Sequence, residues 1–231
     1  WMSSGQDGSG YGIYAQHYDV DGVPQGSEFR VNTYTTSSQQ NAAITALSNG
    51  GFVVSWHSNG QDGSGLGIYA QLYGVDGVAQ GSEFKFNTFT AGSQQNAAIT
   101  VLSNGGFVVS WVSNGQDGSG LGVYAQRYNA SGVHHGGEFR VNTYTTGDQT
   151  DPSITALSNG GFVVSWESAG QDGSGYGIYA QRYDADGVLQ GSEFRVNTYT
   201  TSTQSDPSIT ALNTGGFVVV WMSNGQDGSG Y

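Results

Sequence analysis

The residues of this chain that could do chemistry come in copies. The hexapeptide Gly-Gln-Asp-Gly-Ser-Gly begins at Gly5, Gly60, Gly115, Gly170 and Gly225, a period of 55 residues. Each copy supplies one carboxylate, at Asp7, Asp62, Asp117, Asp172 and Asp227, and the first four follow it with the hydroxyls of Ser9, Ser64, Ser119 and Ser174. Calcium gathers about six to eight oxygens from carboxylates, hydroxyls and carbonyls. An Asp-x-Ser loop between glycines can offer all three kinds, so these residues are the candidate metal ligands and calcium the candidate ion. The same Asp-Gly-Ser-Gly is ordinary turn chemistry, which is the competing reading.

A second set suits sugars. Tyr34, Phe89, Tyr144 and Tyr199 recur at equivalent places, each five residues before a glutamine, at Gln39, Gln94, Gln149 and Gln204. Aromatic rings that stack on pyranose faces beside Asp, Asn and Gln make lectin sites. The alternative is that the rings pack between neighbouring units. Trp1, Trp56, Trp111, Trp166 and Trp221 repeat in step, at the end of an apolar run in the complete copies, and read as core.

Catalysis finds little support at this level. His17, His57, His134 and His135 fall at unrelated positions of the repeat. Glu28, Glu83, Glu138 and Glu193 are followed two residues later by Arg30, Lys85, Arg140 and Arg195. On a strand those pairs share a face, which suggests ion pairs rather than an acid–base couple. No pair of carboxylates stands apart from the repeat, so the expectation is a protein that is not an enzyme.

Composition narrows the partners. The net charge is −12, and only 10% of residues are charged. So acidic a chain repels a phosphate backbone, which excludes nucleic acid. There is no cysteine, hence no disulfide and no thiolate chemistry. No apolar run approaches the roughly 20 residues of a membrane-spanning helix. Without an initiator methionine, the chain reads as a processed product or a piece of something longer.

The elements that must position these residues are strands. Within one repeat, Ser153 to Leu157, Phe162 to Trp166, Gly177 to Tyr183 and Glu193 to Asn197 are short, rich in β-branched and aromatic residues, and separated by Asn-Gly and Asp-x-Asp-Gly turns. The Asp-x-Asp-Gly segments at Asp19 and Asp184 read as turns rather than metal loops. Four strands per unit at a strict period predict an all-β, four-bladed β-propeller over residues 1–231 as a single domain. A stacked β-solenoid is the alternative. The N-terminal strands (Gly12 to Tyr18, Glu28 to Asn32) and the C-terminal strands (Ser208 to Leu212, Phe217 to Trp221) would together close the fourth blade. Trp1–Tyr11 and Trp221–Tyr231 differ only at Ser4/Asn224, so one copy is left over for self-association.

The repeated Trp-x-Ser-x-Gly-Gln-Asp-Gly-Ser-Gly, Ile-Tyr-Ala-Gln-Arg-Tyr-Asp and Gly-Gly-Phe-Val-Val-Ser-Trp resemble tandem repeats of large secreted bacterial proteins that accompany haemolysin-type calcium-binding modules. The resemblance covers the whole chain. It implies an extracellular or cell-surface setting and a link to calcium. It carries no site residues, and the Gly-Gly-x-Gly-x-Asp nonapeptides of the haemolysin type are absent. The expectation is a non-enzymatic binding or scaffold module contacting glycans or other surface proteins, with a lectin-like propeller as the alternative.

If the hexapeptide loops hold calcium, the melting temperature rises with millimolar calcium and falls with chelator. A ligand bound only by the folded form at a hundredfold excess over its dissociation constant stabilises by about 2.7 kcal/mol. Asp117→Ala should blunt the response. Sodium at equal ionic strength must not reproduce it, since screening of the negative charge would act equally through either salt.

Overall fold

The glycine-punctuated apolar runs fold as antiparallel sheets, and no helix occurs among the described residues. The computed structural model describes residues 1–228; the end of the fifth hexapeptide and Tyr231 lie outside them. The chain divides into two compact units, Trp1–Ala97 and Ala98–Tyr231.

In the first unit, β1 (Met2–Ser4), β2 (Tyr11–Ala15) and β3 (Phe29–Arg30) form one sheet. A second holds β4 (Gln39–Ala46), β5 (Phe52–Asn59), β6 (Leu66–Tyr73) and β7 (Ala79–Lys85). The boundary falls within β8 (Gln94–Val101), whose sheet continues through β9 (Phe107–Asn114), β10 (Leu121–Tyr128) and β11 (His134–Arg140). Then come β12 (Gln149–Ala156), β13 (Phe162–Ala169), β14 (Tyr176–Tyr183) and β15 (Phe194–Arg195), and finally the pair β16 (Gln204–Ala211) and β17 (Phe217–Ser223). Three sheets thus have four strands in simple sequence order, as the four runs per repeat predict.

Turn chemistry sets the register. Leu157 N donates to Gly161 O at 2.8 Å and Gly160 N to Leu157 O at 3.0 Å. Gly160 has φ 90°, a region that only glycine enters without cost. A side chain at Gly161 would collide with the Tyr183 carbonyl. The first strand of each unit starts earlier than the sequence suggests, at Gln149 rather than Ser153, because it contains a bulge. Pairing shifts between Thr150 and Ser153, and likewise in β4 and β16. The residues on the bulge are Asn41, Asn96, Asp151 and Asp206, at φ 48–55°, left-handed conformations that Asn and Asp tolerate better than other side chains.

The core follows from the B and C strands of each complete sheet. Trp56 faces Tyr69, Trp111 faces Tyr124 and Trp166 faces Tyr179 across the ladder, and the three indoles are fully buried. Phe52 stacks on Tyr73 and Phe162 on Tyr183, each with centroids 4.8 Å apart. The expected core role holds for these three tryptophans but not for Trp1, which is 55% exposed, nor for Trp221, which is only half-buried.

The expected closure of a fourth blade does not occur among the described residues. β2 pairs with β1 on one side and β3 on the other, whereas β16 and β17 form a separate two-stranded sheet. The leftover N-terminal copy takes the place intended for β17. Met2↔Ile13, Ser3↔Gly12 and Ser4↔Tyr11 repeat the register of Val112↔Val123, Ser113↔Gly122 and Asn114↔Leu121. A strand one short loop away closes at far less entropic cost than one some 200 residues distant.

Trp111→Ala removes a fully enclosed indole and should cost about 3–5 kcal/mol, read as a lower urea midpoint. Val220→Ala, at an exposed position of β17, should stay within about 0.5 kcal/mol.

Candidate functional site

Two loop families meet at one end of each sheet. The hexapeptide loop joins the second and third strands, and the Thr-rich loop leads into the first strand of the next sheet. Ser37 N donates to Ser9 Oγ at 3.0 Å and Ser202 N to Ser174 Oγ at 3.0 Å, so the two families are stitched together.

The Thr-rich loop is organised by a pair of residues seven apart. Asn32 Oδ1 accepts from Ile13 N at 2.7 Å, while its amide donates to Tyr34 O at 2.8 Å and to Gln39 Oε1 at 3.1 Å. Gln39 in turn donates to Thr36 O at 3.1 Å. Asn87 with Gln94, Asn142 with Gln149 and Asn197 with Gln204 repeat the arrangement. All four glutamines are 0% exposed. Contrary to the expectation from the sequence, Gln39, Gln94, Gln149 and Gln204 are therefore enclosed and not presented to a ligand; their polar atoms are spent on holding the loop. Sequence reasoning passed over the four asparagines, although each is identical in every copy. The rings of Tyr34, Phe89, Tyr144 and Tyr199 are half-buried, and Tyr199 donates its hydroxyl to Gly225 O at 3.3 Å.

In the hexapeptide loops, Asp7, Asp62, Asp117 and Asp172 accept through Oδ1 from the backbone N of Ser9, Ser64, Ser119 and Ser174 at 3.0–3.2 Å. This is the Asx turn that the competing reading describes. The other oxygen lies buried against a tyrosine. Burial, then the Asp62 and Glu83 carboxylates, push Tyr69 up to about 12. At Asp7, Asp62 and Asp117 this Oδ2 has no hydrogen-bond partner, while Asp172 Oδ2 accepts from Asn197 at 3.4 Å. Among the described residues no three His, Asp or Glu side chains converge to hold a metal. One uncommitted carboxylate oxygen in each of three loops, and none at Asp172, is far short of a calcium shell, so the loops as folded do not fit the ion.

Two of the repeated glutamates, Glu83 and Glu193, bridge loops. Glu83 accepts from Thr33 N at 2.7 Å, Thr33 Oγ1 at 3.0 Å and Gln61 at 2.5 Å, and Glu193 does the same with Thr143 and Gln171. Arg30 donates to Asn32 O at 3.0 Å.

What breaks the repeat is more telling. On the second strand of each unit, one position is occupied in turn by His57, Val112, Glu167 and Met222. Burial pushes the His57 imidazole below its ordinary 6.5. Glu167 is 6% exposed. Its Oε1 accepts from Asp206 N at 2.6 Å and its Oε2 from Thr150 Oγ1 at 3.4 Å. Burial raises its pKa above the ordinary 4.5; the Asp206 N–H opposes this, and the Asp151 and Asp206 carboxylates add to it. Tyr176, half-buried nearby, is raised by burial and then by Asp148, Glu167 and Asp151. The second unit thus collects carboxylates, one of them inclined to keep its proton, beside an aromatic ring. Two members, Asp151 and Asp206, sit on the left-handed bulges. The sequence signal was a carboxylate standing where the other copies carry His, Val or Met.

No known protein family and no curated protein matches the chain. Solved structures do. A thermostable family-43 glycoside hydrolase is similar at 13% identity and TM-score 0.53, over 82% of this chain and 67% of its own. An endo-arabinase from Bacteroides thetaiotaomicron is similar at 11% identity and TM-score 0.44, over 77% and 68%. A fucose lectin from Kordia zhangzhouensis, in complex with methyl-fucoside, is similar at 14% identity and TM-score 0.40, over 69% and 99%. The first shows an all-β, propeller-like fold. It also corrects the expectation of a non-enzymatic scaffold module: this fold is used by a glycoside hydrolase, and the carboxylate cluster at Glu167 removes the argument that no acidic group stands apart from the repeat.

The raised pKa has a measurable consequence. A carboxyl whose folded pKa lies above its unfolded value contributes stability that is complete below about pH 4.5 and is lost as pH rises through the folded value. Glu167→Gln cannot ionise. Relative to wild type its unfolding free energy should therefore gain as pH rises through that window, in denaturant titrations from pH 4 to pH 8. A constant difference across the range would contradict the assignment.

Proposed function

We propose that the chain is a carbohydrate-recognising module, with Tyr176, Asp148, Asp151, Glu167 and Asp206 of the second unit as the sugar-binding group. The observation that carries this reading is the clustering of several acceptor oxygens beside one half-buried aromatic ring. Sugars present an apolar ring face and a fringe of hydroxyl donors, and that pair of features matches them. The propeller-like fold shared with a glycoside hydrolase supports it. On this view the complete sheets are blades. The resemblance to repeats of secreted bacterial proteins supports an extracellular or surface setting, where glycans are the available ligands.

Glycoside hydrolysis is the second reading, and Glu167 favours it. Burial raises the Glu167 carboxyl above its ordinary pKa, the direction of shift that a general acid protonating a leaving oxygen requires. Such chemistry pairs the acid with a second carboxylate, and Asp151 and Asp206 lie near enough to Glu167 to act on it electrostatically.

The test is a glycan array together with a reducing-sugar assay on plant and bacterial polysaccharides, using wild type, Asp151→Ala and Glu167→Gln. Sugar-specific binding that Asp151→Ala weakens is expected. Loss of a charge-assisted hydrogen bond of about 1.5–3 kcal/mol corresponds to a weakening of about 10- to 100-fold. Release of reducing ends by wild type, abolished by Glu167→Gln, would establish hydrolysis; binding without release would establish a lectin. Wild type that neither binds nor cleaves any glycan overturns the proposal.

A further inference from the structure

Two parts of the molecule are incomplete in complementary ways. In the second unit, β17 pairs with β16 along one edge, and among the described residues no strand pairs with the other. Its burial alternates: Val218, Val220 and Met222 share an exposed apolar face. The equivalent strands β5, β9 and β13 are buried on both faces.

In the first unit the gap is the converse. Ile44 on β4 is 64% exposed, although its equivalents Ile154 and Ile209 are 9% and 8% exposed. The isoleucine therefore lacks the neighbour its equivalents have. Beside it runs an apolar groove of 280 Å³, lined by Ala15, Tyr18, Phe29, Ile44 and Phe52. Along the groove, β2 has only β1 as its partner on that side, through three residue pairs. The corresponding strands β9 and β10 make eight.

The repeat states what fits there. Ile154 shares a buried cluster with Val108, and Ile209 shares one with Val163. One period further on, the partner required by Ile44 is the residue equivalent to Val108 and Val163, and that residue is Val218. The strand required by β2 is of the same kind as β9 and β13, and β17 is that strand. β1 is a three-residue copy of it, holding the same register.

We propose that β16 and β17 of one copy of this chain dock into the first unit of a second copy, with β17 replacing β1 beside β2 and Val218 packing on Ile44. The gain is in ladder length and apolar burial: the seven residues of β17 can make seven pairs with the segment from Gly12 to Tyr18, whereas β1 makes three. The contact is head-to-tail, joining different surfaces of the two copies, so it generates rings or open chains rather than a symmetric pair.

Because the native chain has no cysteine, disulfide trapping reports the contact cleanly. Ile44→Cys and Val218→Cys are prepared as separate proteins; both positions are exposed, so the substitutions leave the folded units intact. Mixed under mild oxidation, they should yield a reducible species of twice the 24.2 kDa chain mass, well above the dimer formed by either variant alone. Deleting residues 1–10, which removes β1 as competitor, should raise the yield. The double variant within one chain is the control. If it forms only an internal disulfide and the mixture gives no excess dimer, the chain's own β17 is the occupant and the proposal is overturned. No crosslink in any combination overturns it as well. Sedimentation of the unmodified protein should show a mass that grows with concentration, and a concentration-independent monomer would count against the contact.

Discussion

Everything else in the complete units rests on the hydrogen-bonded pair of a buried asparagine and a buried glutamine. The connection between the last strand of one sheet and the first of the next is long and rich in Thr and Ser, with few apolar side chains to anchor it. Backbone groups in such a loop must find partners or remain in water. The asparagine satisfies a third-strand N–H lying beyond the end of the last strand, and passes the connection on to the glutamine through its amide. An enclosed polar pair of this kind contributes modestly when made, about 0.5–1.5 kcal/mol per bond, but leaving one partner orphaned costs about 1–3 kcal/mol. The pair therefore dictates geometry more than it adds stability.

That division of labour explains where variation is tolerated. The tryptophan, the facing tyrosine, the glycine turns and the Asn–Gln pair fill the requirements of packing and hydrogen bonding in each sheet. One position on the second strand meets no such requirement and holds His57, Val112, Glu167 and Met222 in turn. The neighbouring bulge can take Asn or Asp without altering its left-handed backbone. Acidic residues chosen at both places produce the cluster of the second unit, and the scaffold beneath is unchanged. Chemistry is thus written onto the repeat where the repeat is least constrained.

The two incomplete sheets follow from the same modularity. Strands specified by near-identical sequences compete for the same partner, since the register is encoded in residues that all copies share. β1 holds its place because it is tethered close by, although it offers a shorter ladder than β17 could. A duplicated segment therefore leaves an apolar strand face and an apolar groove exposed, and such surfaces are unusual on a protein that remains alone in solution.

Much of this was legible in the residues. The period of 55, the glycine and Asn-Gly turns and the β-branched runs determined an all-β chain with four strands per unit, and the invariant tryptophans marked its core. These are local or periodic signals, and backbone chemistry acts on them without reference to distant residues. What the tertiary structure decided was the use made of the polar positions. The glutamines at Gln39, Gln94, Gln149 and Gln204 have a composition that suits a sugar, yet packing encloses them, because loop carbonyls seven residues or fewer away compete for the same amide. Glu167 looks like an ordinary strand residue until Asp151 and Asp206 arrive beside it on bulges from two different sheets. Which copy of a duplicated strand pairs with β2 depends on tether length, and sequence identity alone is blind to that.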